Sequence, residues 1–311
     1  MHISFSSHQP LVSLFIPSYN HAEYLHETIQ SMIAQTYPNI ELLIIDDGSQ
    51  DRSVEIINTF EQECHHRFQR YEFIHCKNKG LSLSLNQAIK WSKGKYFAAC
   101  ASDDIYLPGK IAFQVPLLED DNSLIGAFGG CDVIDSNSNI TQEILPDEES
   151  FSFKSILIRE HLLIAPTALL RSQALKEAGE YPSDLYIEDW YMWLQLSKKF
   201  GKLKVFRKKL VQYRRHENNM SQNIEKMHQS RMQIIDQFQD SIFYGLAKSK
   251  IFVAASIEYS FSNKKQSYIL IKDAIVSSYS IVRYPIFYKA LIRLAIPIPI
   301  WRILTRLKEI I

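Results

Sequence analysis

The sequence is poor in the features that mark several large protein classes. Its 311 residues hold four cysteines (Cys64, Cys76, Cys100 and Cys131), scattered with no CxxC pair. That spacing gives no support for cysteine-bound zinc and predicts reduced thiols in a cytoplasmic protein. No run of 18 uninterrupted apolar residues occurs, which argues against a transmembrane helix. The N-terminal MHISFSSHQPLVSLF has no basic region ahead of a long apolar stretch, so no signal peptide is expected. No GxGxxG follows the first apolar run, against a dinucleotide-binding dehydrogenase. No GxxxxGKS or GxxxxGKT occurs either, against a P-loop nucleotidase.

What remains is an ordinary globular composition, 46% hydrophobic and 22% charged. The net charge of +1 hides an asymmetry. From Gln222 onward there are 13 basic and 6 acidic residues, a charge of +7 that leaves −6 on residues 1–221. An acidic body with a basic tail suggests that the tail meets something anionic.

The first 135 residues alternate two kinds of stretch. LVSLFIP (11–17), IELLIIDD (40–47), YEFIHC (71–76) and Tyr96–Cys100 are short runs of buried-strand type. Between them Leu25, Ile29, Met32 and Ile33, then Val54, Ile57 and Phe60, then residues 81–92 have helical spacing. Such alternation predicts βαβ units and a parallel sheet, in which ligands sit outside the carboxyl ends of the strands. Three strands end in polar clusters, PSYN, DDGS and SDD, which should converge on one edge. Residues 125–221 read as mixed strands and helices with an acidic loop at 146–150, and the chain from 222 onward reads as helical.

Alone, DDGSQDRS is a turn with Asp51 as a helix cap, and Asn20 and Tyr24 of SYNHAEYL suit a cap and a core aromatic. Asp103 and Asp104 demand more. Two carboxylates about 4 Å apart repel by roughly 4 kcal/mol at an effective dielectric near 20. A divalent cation with oxygen ligands would relieve that repulsion. YIEDWYMWLQL (186–196) offers Glu188 and Asp189 at a helix start, either an acidic first turn or a general base. YRRHENNMS (213–221) groups Arg214, Arg215 and His216, with the arginines suited to a diphosphate and the histidine to a metal.

In order and spacing these stretches resemble the inverting family 2 glycosyltransferases over about residues 10–221. The resemblance implies an α/β, GT-A-type Rossmann-like nucleotide-binding sheet, with a mixed acceptor-side region and a helical C-terminal extension. The expected domains are 1–221, carrying transfer, and 222–311, basic and helical. The resemblance places Pro17, Tyr19 and Asp47 at the nucleoside, and Asn20 beside them is counted with the expected binding residues. Asn78, Gly80 and Asn86 fall in the nucleotide-sugar pocket, and Asp103 lies beside the metal. Mn²⁺ or Mg²⁺ is expected at Asp104 and His216, and Asp189 is the expected catalytic base. Ala101 stands where the family often has an acidic residue, and Leu85 replaces a frequent arginine. No QxxRW occurs, which sets the processive synthases aside.

The implied partners are a nucleotide-sugar donor, usually a UDP-sugar in this family, and a saccharide or lipid-linked saccharide acceptor of surface-polysaccharide assembly. No nucleic acid is implied. The apolar and basic tail at 279–311 suits either a cytoplasmic protein peripheral to an anionic membrane face or a homodimer interface. A nucleotidyltransferase on a similar fold should show a Gly- and Lys-rich loop after the first strand, where this chain has PSYNHAEY. A non-catalytic subunit should have lost acidic residues that this chain keeps.

Overall fold

The computed structural model describes residues 9–216 and 223–297. It contains ten strands: β1 (Val12–Ser18), β2 (Ile40–Asp46), β3 (Arg70–His75), β4 (Tyr96–Ala99), β5 (Ile105–Tyr106), β6 (Leu124–Ile134), β7 (Ile140–Ile144), β8 (Glu149–Phe151), β9 (Leu169–Arg171) and β10 (Lys202–Arg214). The helices in the same stretch are α1 (Ala22–Ile33), α2 (Ser53–Thr59), α3 (Glu61–Arg67), α4 (Leu81–Trp91), α5 (Lys110–Asp120), α6 (Phe153–Leu157), α7 (Ser172–Ala178) and α8 (Glu188–Lys199). Four more follow: α9 (Ile224–Ile235), α10 (Tyr244–Tyr259), α11 (Lys264–Ser277) and α12 (Pro285–Ala295).

The sheet runs β3-β2-β1-β4-β9-β6-β10-β5, with β7 beside β6 and β8 beside β10. β1, β2, β3 and β4 are parallel neighbours, as apolar runs separated by helices require. Beyond β4 the sheet turns mixed, because β9 enters antiparallel to both β4 and β6. The core lies between sheet and helices. Leu25, Ile29 and Met32 of α1 are fully buried with Leu14, Leu42 and Ile44. Glu41 is buried inside β2, yet its carboxylate accepts from Ser13 Oγ at 2.6 Å and pairs with Arg70 at 3.1 Å. A buried charge is tolerated when paired in this way. Gly94 sits where a Cβ would lie 2.6 Å from the Ser13 backbone, so that close approach needs glycine.

Sequence periodicity joins Val54, Ile57 and Phe60 on one helix, but the structure breaks the helix at Phe60 and starts α3 at Glu61. Phe60 and Ile57 are nevertheless both buried, so the apolar side survives the break.

By chain packing the molecule divides into two compact units. The first comprises 1–153, 161–184 and 188–219, and the second 154–160, 185–187 and 220–311. The second unit has its own core of Val253, Ile271, Ala274, Ile281, Phe287 and Ala290. Small polar residues let α10 and α11 approach. Ser249 Oγ donates to the Ala274 carbonyl at 2.6 Å, and Ser256 and Ser267 hydroxyls lie 2.9 Å apart. Among the described residues no helix is long and apolar enough to cross a membrane.

Candidate active site

The polar ends of β1, β2 and β4 meet along one sheet edge because these strands are parallel neighbours in matched register. Ser18 stands opposite Asp46, and the Ser18 hydroxyl donates to Asp46 at 3.0 Å. The Asp47 N–H donates to the Ser18 carbonyl at 2.8 Å. Asn20 adopts φ +53°, a left-handed conformation that asparagine tolerates better than most residues. Its side-chain oxygen accepts from the Gln50 N–H at 2.7 Å, tying the first loop to the second.

Asp47 is fastened from the third loop. Its two carboxylate oxygens accept the N–H groups of Lys79 (2.9 Å) and Gly80 (2.8 Å). Gly80, at φ +90°, stands just before α4. Pro17 lines the adjoining cleft and Tyr19 is half exposed beside it in sequence, while Asn78 is exposed. Asn86 holds the backbone of Tyr181, which lines that cleft. Its amide donates to the Tyr181 carbonyl at 2.9 Å and accepts from the Tyr181 N–H at 2.8 Å, so the side chain clamps a backbone.

After β4 the chain turns sharply, with the Asp104 N–H donating to the Ala101 carbonyl at 3.1 Å. Helix α1 braces this turn, since the single Thr28 Oγ1 proton is shared between the carbonyls of Ser102 (2.9 Å) and Asp104 (2.8 Å). The turn sends the two carboxylates in different directions. Asp103 Oδ2 lies 3.0 Å from His216 Nε2. Asp104 is turned inward and is 1% exposed. Its Oδ1 accepts the Arg214 N–H at 2.9 Å, and Oδ2 is buried without a hydrogen-bond partner. Burial and the nearby Asp103 charge push the Asp104 carboxyl well above the usual carboxylate range. The expected pairing of Asp104 with His216 is therefore not the pairing the fold brings together; Asp103 takes that position.

A third donor joins them. One ligand atom each from His21, Asp103 and His216 lies within 4.8 Å of the others. His21 Nδ1 is 2.8 Å from the Ser102 hydroxyl, and His216 stacks on Tyr24 at 5.3 Å. Burial lowers the His21 pKa, against the pull of Asp103. A carboxylate with two imidazole nitrogens suits a divalent metal ion, so the donor chemistry fits the expected cation. Nothing in the residue order marks His21, which meets its partners only through the fold.

Arg214 departs from the diphosphate role. It is fully buried, donating to the carbonyls of Asp103 (2.8 Å) and Asp135 (2.9 Å), to Ser138 Oγ (3.0 Å) and to Glu27 Oε2 (2.6 Å). With so many bonds to the protein its guanidinium braces the carboxylate turn. Arg215 is exposed.

The cleft that Pro17 lines is a pocket of about 140 Å³, whose other lining residues include Ala101, Pro166, Tyr181, Glu188 and Asp189. Glu188 and Asp189 open α8, where the helix dipole favours negative charge. Asp189 Oδ1 accepts the Trp190 N–H at 2.6 Å. Burial first, and the Asp189 charge second, raise the Glu188 carboxyl to about 8. A carboxyl raised in this way keeps its proton at neutral pH beside Asp189.

Comparison with known proteins agrees with this architecture. Residues 13–179, over half of the chain, match the family described as Glycosyl transferase family 2. An uncharacterised glycosyltransferase of Rickettsia typhi is 32% identical over 197 residues, covering 61% of this chain and 59% of that protein. The chain thus matches less than two thirds of that relative's length. A UDP-Glc:alpha-D-GlcNAc-diphosphoundecaprenol beta-1,3-glucosyltransferase of Escherichia coli, WfgD, is 27% identical over 196 residues, covering 60% of this chain and 70% of WfgD. Among solved structures, S. aureus TarS 1–349 with UDP-GlcNAc superimposes with a TM-score of 0.66 at 16% identity, covering 91% and 87% of the two chains. A mannosyltransferase from Pyrobaculum calidifontis with GDP-Man and Mn²⁺ gives 0.57 at 13% identity, covering 93% and 87%. These structural likenesses establish a GT-A-type fold. With its parallel donor-side sheet, its polar strand ends and the match over residues 13–179, the chain belongs to glycosyl transferase family 2.

Proposed function

We propose that the protein moves a sugar, with inversion, from a nucleotide-sugar to a saccharide or lipid-linked saccharide in surface-polysaccharide synthesis, and that it needs Mn²⁺ or Mg²⁺. The observations that carry this reading are a metal-type donor set around Asp103, in the turn after β4, and a pocket lined by Ala101 of that same turn together with the paired carboxyls Glu188 and Asp189. The nucleoside reading of Pro17, Tyr19 and Asp47 is supported by the interlocked loops that hold Asp47, with Asn20 tying the first loop to the second. Asp103 and His216 would hold the cation, which when bound stabilises negative charge on the departing nucleoside diphosphate. Asp104 and Arg214 hold the turn. Asp189 takes the acceptor hydroxyl proton as that oxygen attacks the sugar from the face opposite the leaving group. The attack passes through a transition state of oxocarbenium character.

The donor is a UDP-sugar in our reading, supported by the UDP-sugars named for WfgD and for TarS. Nucleotide release from a panel of sugar nucleotides, with and without Mn²⁺, tests reaction class and donor together. Release from one UDP-sugar that depends on metal is expected. No release from any donor, or full release after EDTA treatment, would count against the reading.

The second unit supports a peripheral site at the inner face of a membrane. On α12, Tyr288, Leu291 and Ile292 are exposed at spacings of three and four, a helical stripe, with Lys289 and Arg293 on one flank. Val276 and Tyr279 add exposed apolar surface, at 87% and 75%. The rest of the basic tail, including Trp301, Arg302, Arg306 and Lys308, lies outside the described residues. Flotation should recover the protein with anionic liposomes and much less with neutral ones, and Lys289→Glu with Arg293→Glu should reduce that recovery. Equal recovery from both lipids, or none, would favour the homodimer reading of this surface.

A further inference from the structure

We propose that His21 is a third protein ligand of the cation, completing a two-histidine, one-carboxylate set that selects Co²⁺, Ni²⁺ or Zn²⁺ over Mg²⁺. The proposal rests on the metal-dependent reading above and deepens it. Three geometric observations carry it. First, the three donor atoms lie within 4.8 Å of one another, although their residues come from distant parts of the chain. Second, His216 Nε2 and Asp103 Oδ2 are 3.0 Å apart. Adjacent donors about 2.1 Å from one ion in an octahedral shell are separated by about 3.0 Å. Third, the His21 and His216 rings are perpendicular with centroids 5.7 Å apart. Two imidazoles bound at about 2.1 Å to one ion have centroids roughly 4.6 to 5.6 Å apart for angles of 90° to 120° at the metal. The rings therefore converge without clashing, and a small rotation seats both.

The surroundings fix these rings as ligands require. The Ser102 hydroxyl sits 2.8 Å from His21 Nδ1, and Tyr24 stacks against His216 at 5.3 Å. Such neighbours orient a ligating ring and limit its search. His21 stands at the start of α1, and its side chain makes no capping bond to the helix. Selectivity follows from the donors. Carboxylate and water suit Mg²⁺, whereas imidazole nitrogen suits the later first-row ions, whose affinities rise from Mn²⁺ toward Cu²⁺. With one histidine the site would remain close to an oxygen site completed by diphosphate. With two it becomes a nitrogen-rich site able to hold metal before the donor arrives.

The test is metal binding to the full-length, nucleotide-free protein, by calorimetry with Co²⁺ and with Mg²⁺ and by the visible absorption of bound Co²⁺. Wild type should bind one Co²⁺ per chain at least about 100-fold more tightly than Mg²⁺. His21→Ala and His21→Gln should each weaken Co²⁺ at least about 10-fold and change its spectrum, while Mg²⁺ moves less than about 3-fold. The Gln variant keeps a polar partner for Ser102, and thermal melts of both exclude misfolding as the cause. Wild-type Co²⁺ affinity and spectrum in both His21 variants, with loss only in Asp103→Asn, would overturn the third ligand and leave metal-dependent transfer intact. No Co²⁺ binding without nucleotide would also overturn it. Failure of the transfer reading is seen separately, as donor release that ignores EDTA.

Discussion

Asp103→Asn should lower metal-dependent transfer by at least about 10²-fold, and Asp104→Asn should lower it far less. The reason is where each carboxylate points. Asp103 faces His216 at 3.0 Å, whereas Asp104 is buried and receives the Arg214 N–H. Stabilising the charge of a leaving diphosphate is worth several kcal/mol, which corresponds to about 10² to 10⁴ in rate. Asparagine at 103 keeps the shape but removes the charge that holds the cation. At 104 the carboxyl is already pushed toward its neutral form, so the amide changes little electrostatically. Its N–H₂ would replace a buried Oδ2 that already lacks a partner, so the exchange orphans no new group and stability should change by less than about 1 kcal/mol. Transfer rates at saturating donor, Mn²⁺ titrations and thermal melts of both variants separate the cases. A silent Asp103→Asn beside a metal-blind, well-folded Asp104→Asn would return the cation to Asp104.

The second large effect is expected at the start of α8. Asp189→Asn should cut turnover by about 10² to 10⁴-fold, the usual worth of a general base, with little change in donor binding. Glu188→Gln should cost less than about 10-fold, because a carboxyl with its pKa near 8 is already protonated at neutral pH. Linkage gives an independent check. Glu188 has a folded pKa raised to about 8 from the ordinary 4.5, so the folded state keeps a proton that the unfolded chain releases. Its contribution to stability is thus most favourable below pH 4.5 and is lost as pH rises toward 8. Glu188→Gln has no such proton to lose. Its melting temperature should gain on wild type across that range, by about 3 °C or more. A dead Glu188→Gln with a near-normal Asp189→Asn would exchange the two roles, and parallel melting curves would show that Glu188 ionises normally.

Much of the donor side was legible from the chain alone, because local physics decides it. The runs ending at Pro17, Asp47 and Cys100 are short, apolar and separated by helical spacing, which predicts parallel neighbours. Parallel strands then bring PSYN, DDGS and SDD to one edge without further information. The acidic pair at the start of α8 and the helices between Ile224 and Ala295 follow from the same local spacing. Asp47 was named as a binding residue, but its locking by the Lys79 and Gly80 amides depends on a loop over thirty residues away.

The rest is non-local. The insertion of β9 between β4 and β6 pairs short strands distant in sequence, and no periodicity encodes that order. Which of two adjacent aspartates meets His216 depends on how tightly the turn after β4 closes, and Thr28 of α1 decides that. Arg214 looked like a phosphate ligand from composition, since arginine suits both phosphates and backbone carbonyls; burial against Asp103, Asp135 and Glu27 gave it the second role. His21 lies 82 residues before Asp103 and 195 before His216, and only packing puts their donor atoms together. The sequence by itself determined which strand ends would carry polar chemistry, because apolar spacing and turn residues act over a few positions. Only the tertiary structure decided which side chains at those ends face one another, because a turn's closure and a buried arginine's partners come from distant parts of the chain.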